Sequence, residues 1–195
     1  MKTALLLIDI QNDYFPGGKM ELESPVEAAK KANELLQCFR DHSMPTVHIQ
    51  HVSLSPDATF FISGDRGTDI NDITAHYEGE PLVQKHYPNS FRETNLLELL
   101  NEWDIERIII TGMMTHMCVD ATARAASDLG FKVMVAEDAC ATRALTFGGT
   151  AIPAEHVQKA FLAALKSYGQ VMPVEKILAH LAAEQVASLD ADKPD

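Results

Sequence analysis

Three residues stand out by chemical type and by place: Asp9, Lys85 and Cys118. Each falls at the carboxyl end of a stretch that reads as a β-strand. In a parallel sheet those ends converge on one rim, and ligands of open α/β folds bind there. An ionised Asp within reach of a thiol can take its proton as general base and later return it to a leaving amine. At the end of an apolar run a carboxylate is costly to desolvate, and a nearby Lys would hold it in its charged form. A thiol close to a helix N-terminus also feels the positive end of the helix dipole, which favours thiolate. The backbone N–H groups of the turn Gly112–Met117 fall where a tetrahedral oxyanion could sit. Each residue has a plainer reading: Asp9 as a loop cap, Lys85 as a solvated edge lysine, Cys118 as a small core hydrophobe. The shared rim favours chemistry for the three together.

The elements that must position them read in order along the chain. Ala4–Ile10 is a continuous apolar run, the pattern of a strand buried on both faces of a parallel sheet, and Pro16-Gly17-Gly18 break the loop that follows. Ser24 as N-cap and Pro25 at the first helical position start a helix that ends near His42. Pro45–Val52 is the next strand. Ser53–Pro81 interrupts the rhythm, and a connection of that length inside a compact domain reads as a lid or pocket wall. Leu82–Lys85 is a short strand, and Thr94 caps a Leu-rich helix. The strand Arg107–Gly112 leads through its turn into a small-residue helix from Cys118 to Leu129, stopped by Gly130. Phe131–Ala136 is a strand with Glu137–Cys140 as its exit, and Pro153–Tyr168 is a helix. Gln170–Met172 is a last strand, and Val174–Leu189 a terminal helix running into a frayed tail over 183–195. The alternation predicts a single domain over 1–195, a three-layer α/β/α Rossmann-like fold with a mostly parallel sheet of about six strands. No GxGxxG follows the first strand and no GxxxxGK[ST] occurs, so the dinucleotide and phosphate loops of such folds are missing.

Composition narrows the function classes. The 195 residues suit one sizeable domain, and their net charge of −12 argues against nucleic acid and anionic membrane surfaces as partners. The three cysteines, Cys38, Cys118 and Cys140, cannot all pair and have no zinc-ligand cadence. Free thiols in a cytoplasmic protein are the simplest expectation. The apolar run near the N-terminus is broken by Asp9 and is not expected to be a signal peptide. No segment reaches the length of a membrane span.

The segments LLLIDIQNDYFPGG, VQKHYPNSF and GMMTHMCVDATARAASDLGFKV with EDACATR resemble, in order, the motifs of the isochorismatase-like cysteine hydrolase family. The resemblance runs from residue 4 to about 172. It implies a catalytic triad of Asp9, Lys85 and Cys118, and a cis peptide at Met113–Met114 with the Met114 and Cys118 amides as oxyanion donors. It also implies a homo-oligomer, dimer or tetramer, acting on a small molecule without a cofactor. Some members of that family are fused to a carrier-protein domain, which this chain is not expected to hold. Nicotinamidases, which are similar, bind a metal through an Asp-x-His motif. Here that region reads His48-Ile49-Gln50-His51-Val52. His48 and His51 lie three apart on a strand and face opposite sides, a poor chelate, so no catalytic metal is expected.

Around the triad, Gln11, Phe15, Tyr87, Phe91 and His116 are candidate substrate contacts, the aromatics being equally readable as packing. Tyr14 belongs with Phe15. Arg124, four residues after Asp120, reads as a helix salt bridge, and Cys38 and Cys140 as structural. Hydrolysis of a C–N bond in a small amide, carbamoyl or ureido substrate, through a thioester on Cys118, is the leading expectation. Vinyl-ether hydrolysis of the isochorismate type and a non-catalytic small-molecule binder are the alternatives.

Overall fold

The computed structural model describes residues 1–191, with side chains through 187. Its central sheet is built from β1 (Thr3–Ile8), β2 (Thr46–His51), β3 (Leu82–Lys85), β4 (Arg107–Met113), β5 (Lys132–Ala141) and β8 (Gln170–Met172). All neighbours pair in parallel, in the order β3-β2-β1-β4-β5-β8. The short strands β6 (Leu145–Phe147) and β7 (Thr150–Ile152) form a separate antiparallel hairpin that no sequence pattern announced.

Period-two alternation assigns the central strands to two cores. Leu5 and Leu7 of β1 join Leu35, Leu36 and Phe39 of α1 (Pro25–Asp41) with Ile177 and Leu181 of α5 (Val174–Ala191). Ala4, Leu6 and Ile8 face the other way, onto Leu96 and Leu100 of α2 (Leu96–Glu102) and Ala123 and Ala126 of α3 (Asp120–Asp128). Leu165 of α4 (Ala154–Leu165) closes that second layer. The three-layer architecture is therefore as the β-α alternation implied. Among the described residues no helix is long and apolar enough to cross a membrane.

Several boundaries differ from expectation for physical reasons. β1 stops at Ile8, because Asp9 takes a left-handed conformation with φ of 51°, which Asp tolerates better than most side chains. β5 runs on through Glu137–Cys140, the stretch expected as its exit. Its pairing with β4 jumps from Ile110↔Val135 to Gly112↔Cys140, so an irregularity absorbs the extra residues. Ser24 occupies the N-cap position but makes no capping hydrogen bond. At α2 the N-cap is Asn95, and Thr94 contributes by accepting from the Leu96 N–H at 3.3 Å. The terminal helix continues to Ala191, through residues expected to fray. Buried Arg107 donates twice to Glu184, at 2.8 and 2.6 Å, and ties that helix to β4; residues 192–195 lie outside the described part.

The long connection is fixed at its far end. Glu80, just before β3, accepts from Arg40 at 2.6 and 2.8 Å and pairs with buried His48 at 3.0 Å. Burial works against the Glu80 charge, but Arg40 and the Tyr77 N–H hold its carboxyl down at about 2. β3 thus leaves a pinned corner, and Lys85 follows five residues later.

Candidate active site

Strand order assembles the site. The chain moves outward from β1 to β2 and β3, then returns to lay β4 on the open side of β1. The reversal between β1 and β4 is the topological switch point, where open α/β sheets form a crevice. Asp9 leaves β1 there and Cys118 follows β4, while Lys85 ends β3, two strands away.

Close approach at the switch point depends on Gly112. It pairs with Ile8 at φ of 128°, and an added Cβ would collide with the Ile8 carbonyl. Met113–Met114 follows as a cis peptide, and Thr115–Val119 forms one π-helical turn before α3 begins. Met114 and Cys118 therefore lie on the same tight turn. The Met114 carbonyl accepts from the Met117 and Val119 N–H groups at 3.0 and 3.3 Å.

Lys85 crosses beneath the end of β2 to reach the others. Its ammonium donates to Asp9 Oδ2 at 2.7 Å and to Cys118 Sγ at 3.2 Å, with Lys85 and Asp9 side chains fully buried. Burial opposes the lysine charge, but Asp9 and Cys118 outweigh it and raise the ammonium above its usual range. Among the described residues the second Asp9 oxygen, Oδ1, is buried without a hydrogen-bond partner, and a carboxylate oxygen of Asp9 lies within 4.8 Å of the Cys118 sulfur.

Burial works against the helix-dipole expectation for Cys118. Cys118 sits in the second core cluster with Ile108, Ile110 and Val119. Burial first, then the Asp9 charge, push its thiol well above the normal range, and Lys85 recovers only part of that. On balance these influences favour the thiol over the thiolate.

His51 is the residue that sequence reasoning undervalued. It was weighed only as a metal ligand, yet it ends β2 in register with Lys85, and its Nδ1 lies 3.0 Å from the ammonium. Asp9, His51 and Cys118 bring three metal-capable atoms within 4.8 Å of one another. Lys85 Nζ contacts all three, so an ammonium already takes the position of a cation. His48 faces away, toward Glu80 and His76, so the two histidines do not form a chelate. The signal for His51 was its place at the end of the strand between those carrying Asp9 and Lys85.

The substrate candidates fare unevenly. Gln11 is buried, but its amide accepts from the His51 N–H at 2.8 Å and donates to the His51 and Thr68 carbonyls at 2.9 and 2.8 Å. It is a clamp between β2 and the long loop rather than a substrate contact. Phe91 stacks on Phe131, which precedes β5 at the opposite end of the sheet. Tyr87 lies under the Arg92 guanidinium. His116 hydrogen-bonds Thr142 and packs on Phe161 of α4, outside the Lys85 network. Phe15 is buried in the core cluster that includes Met113 and Met114.

Tyr14, expected beside Phe15, clusters with Phe60 and Phe61, and the Phe61 ring lies 4.7 Å from the Tyr14 ring and 5.7 Å from His51. Phe60 and Phe61 belong to the long connection, the segment read as a lid or pocket wall. They and His51, Ser53 and Asp57 line a cavity of about 190 Å³. Tyr14 is buried, and burial followed by the nearby Cys118 and Asp9 keep its phenol firmly protonated. Arg124 pairs with Asp120 at 2.8 Å, as its spacing indicated.

Comparison with known proteins places this geometry in context. A family model described as an isochorismatase domain matches residues 3–176. The isochorismatase family protein YddQ of Bacillus subtilis is 45% identical over 179 residues, covering 91% of this chain and 99% of that one. The crystal structure of an isochorismatase hydrolase from Oleispira antarctica superposes with a TM-score of 0.88 at 44% identity, covering 91% and 96% of the two chains. Maleamate amidohydrolase of Pseudomonas putida is 26% identical over 156 residues, 73% of each chain.

Proposed function

Because this chain belongs to the isochorismatase family of hydrolases, we propose that it cleaves the C–N bond of a small amide, carbamoyl or ureido substrate with Cys118 as nucleophile. The observation that carries this reading is the buried Lys85 ammonium bonded at once to Asp9 Oδ2 and Cys118 Sγ. Similarity to maleamate amidohydrolase supports an amide as the scissile group.

Burial favours the protonated thiol, so deprotonation belongs to the reaction. Asp9 accepts the Sγ proton as sulfur attacks the carbonyl carbon. Lys85, already bonded to Sγ, stabilises the thiolate as it forms. The carbonyl electrons move onto oxygen, where the Met114 and Cys118 amides serve as donors. Protonated Asp9 gives its proton to the nitrogen, the C–N bond breaks, and a thioester remains. Asp9 then deprotonates a water that attacks the thioester, the C–S bond breaks, and the proton returns to sulfur. A cavity of about 190 Å³ walled by Phe60 and Phe61 suits a substrate of few heavy atoms. The ammonium among Asp9, His51 and Cys118 supplies the positive charge that a metal would bring.

The test is ammonia release from a panel of small primary amides and ureido acids. Cys118→Ala should lose at least about 10³-fold in kcat, and the wild type should show an acyl adduct on Cys118 by mass spectrometry. Chelator treatment should leave the rate unchanged. Ammonia release that survives Cys118→Ala would refute the thioester route.

A further inference from the structure

The strand order sets β2 between β1 and β3, so any lysine that reaches from β3 to Asp9 must pass the last residue of β2. That residue is His51. An ammonium has three N–H donors and no acceptor, and Lys85 finds three partners: Asp9 Oδ2 at 2.7 Å, His51 Nδ1 at 3.0 Å and Cys118 Sγ at 3.2 Å. We propose that His51 is a positioning residue for Lys85, a neutral imidazole that accepts at Nδ1 and carries its single proton on Nε2.

Three observations support the assignment. Lys85 cannot accept, so the 3.0 Å contact requires an unprotonated Nδ1. Burial and then the adjacent Lys85 charge push the imidazole down to about 4, with Asp9 opposing and His86 adding to the effect. Backbone and ring are each held: Gln11 bonds the His51 backbone N–H and carbonyl, and the Phe61 ring centroid lies 5.7 Å from that of the imidazole. Nε2 pairs with no described residue, and His51 is among the residues lining the cavity of about 190 Å³. His51 thus closes the third valence of the ammonium, aims the other two at Asp9 and sulfur, and offers the cavity one neutral N–H donor.

This assignment rests on the hydrolase reading above, and its test is independent of turnover. The rate of Cys118 alkylation by iodoacetamide reports how well Lys85 supports the thiolate. In His51→Asn the side-chain oxygen takes the place of Nδ1 and still accepts from Lys85. His51→Gln reaches past it, and His51→Phe offers no acceptor. Asn should stay within about threefold of wild type, whereas Gln and Phe should fall about tenfold or more, which is ~1.4 kcal/mol per tenfold. Long-range ¹H–¹⁵N NMR, with the His51 signal identified by its loss in His51→Asn, should show the Nε2–H tautomer at neutral pH. Alkylation of Phe at the wild-type rate, Asn slowed as much as Phe, or an Nδ1–H tautomer would each overturn the proposal. If Phe does not fold, the Asn and Gln pair decides. Indifference of alkylation to Asp9→Asn and Lys85→Met would instead count against the triad itself.

Discussion

Replacing Lys85 by Met probes the charge at the centre of the site without relying on a substrate. The two charges lie 2.7 Å apart, with both side chains fully buried. At an effective dielectric of about 20 their attraction is roughly 6 kcal/mol, and desolvation costs several kcal/mol for each ion. The intact pair is therefore close to break-even. Removing one member is different, because the attraction vanishes while the remaining ion stays buried. Lys85→Met should destabilise the fold by about 3–5 kcal/mol. Asp9→Asn should cost less, since the ammonium keeps Cys118 and His51 as acceptors. The double variant should be more stable than Lys85→Met alone by about 2 kcal/mol, since no unpaired charge is left inside. Urea unfolding of the wild type, both singles and the double gives the coupling directly. Additive losses, with the double variant the least stable of the four, would refute the view that Asp9 and Lys85 are held as a buried ion pair.

Two further outcomes follow from the same structure. Burial holds His48 and His51 neutral down to about 4, whereas the unfolded chain protonates its histidines near 6.5. Stability should be complete above about pH 6.5 and fall as the pH drops toward 4, by about 3 kcal/mol for each histidine at full extent. His48→Gln should flatten that slope by up to ~1.4 kcal/mol per pH unit; an unchanged slope in urea titrations between pH 6.5 and 4 would contradict it. Gly112→Ala should destabilise by more than about 2 kcal/mol, because the new Cβ meets the Ile8 carbonyl at a positive φ. A urea midpoint within error of wild type would show that β1 and β4 can move apart there.

Much of the site was legible because its residues interrupt patterns. Asp9 ends an apolar run, Lys85 ends a short strand, and Cys118 follows a β-branched strand and a glycine. Such breaks are local, and each marks a strand end. The π-helical turn at Thr115–Val119 was not legible, since π and α turns share a composition and differ by one hydrogen-bond register. Nor was the pairing jump between β4 and β5, which made strand of a stretch that reads as a loop. Gln11 illustrates the limit for polar residues: its type offered hydrogen bonds, but only the fold showed three of them, both donors included, spent on backbone groups.

What the sequence determined by itself is the six strands of the central sheet and the main helices, the two faces of the central strands, and the three reactive side chains at strand ends. These follow from periodicity and from the cost of leaving polar groups in apolar runs, which act over a few residues. What tertiary structure alone decided is which strand lies beside which. With the order β3-β2-β1-β4, Asp9 and Cys118 become neighbours across the switch point, and Lys85 must reach them past the end of β2. That order made His51 the third partner of the ammonium. It also turned two aromatics of a long, irregular loop into the wall of the cavity. Contacts between residues dozens of positions apart depend on how whole layers pack, and no local pattern encodes them.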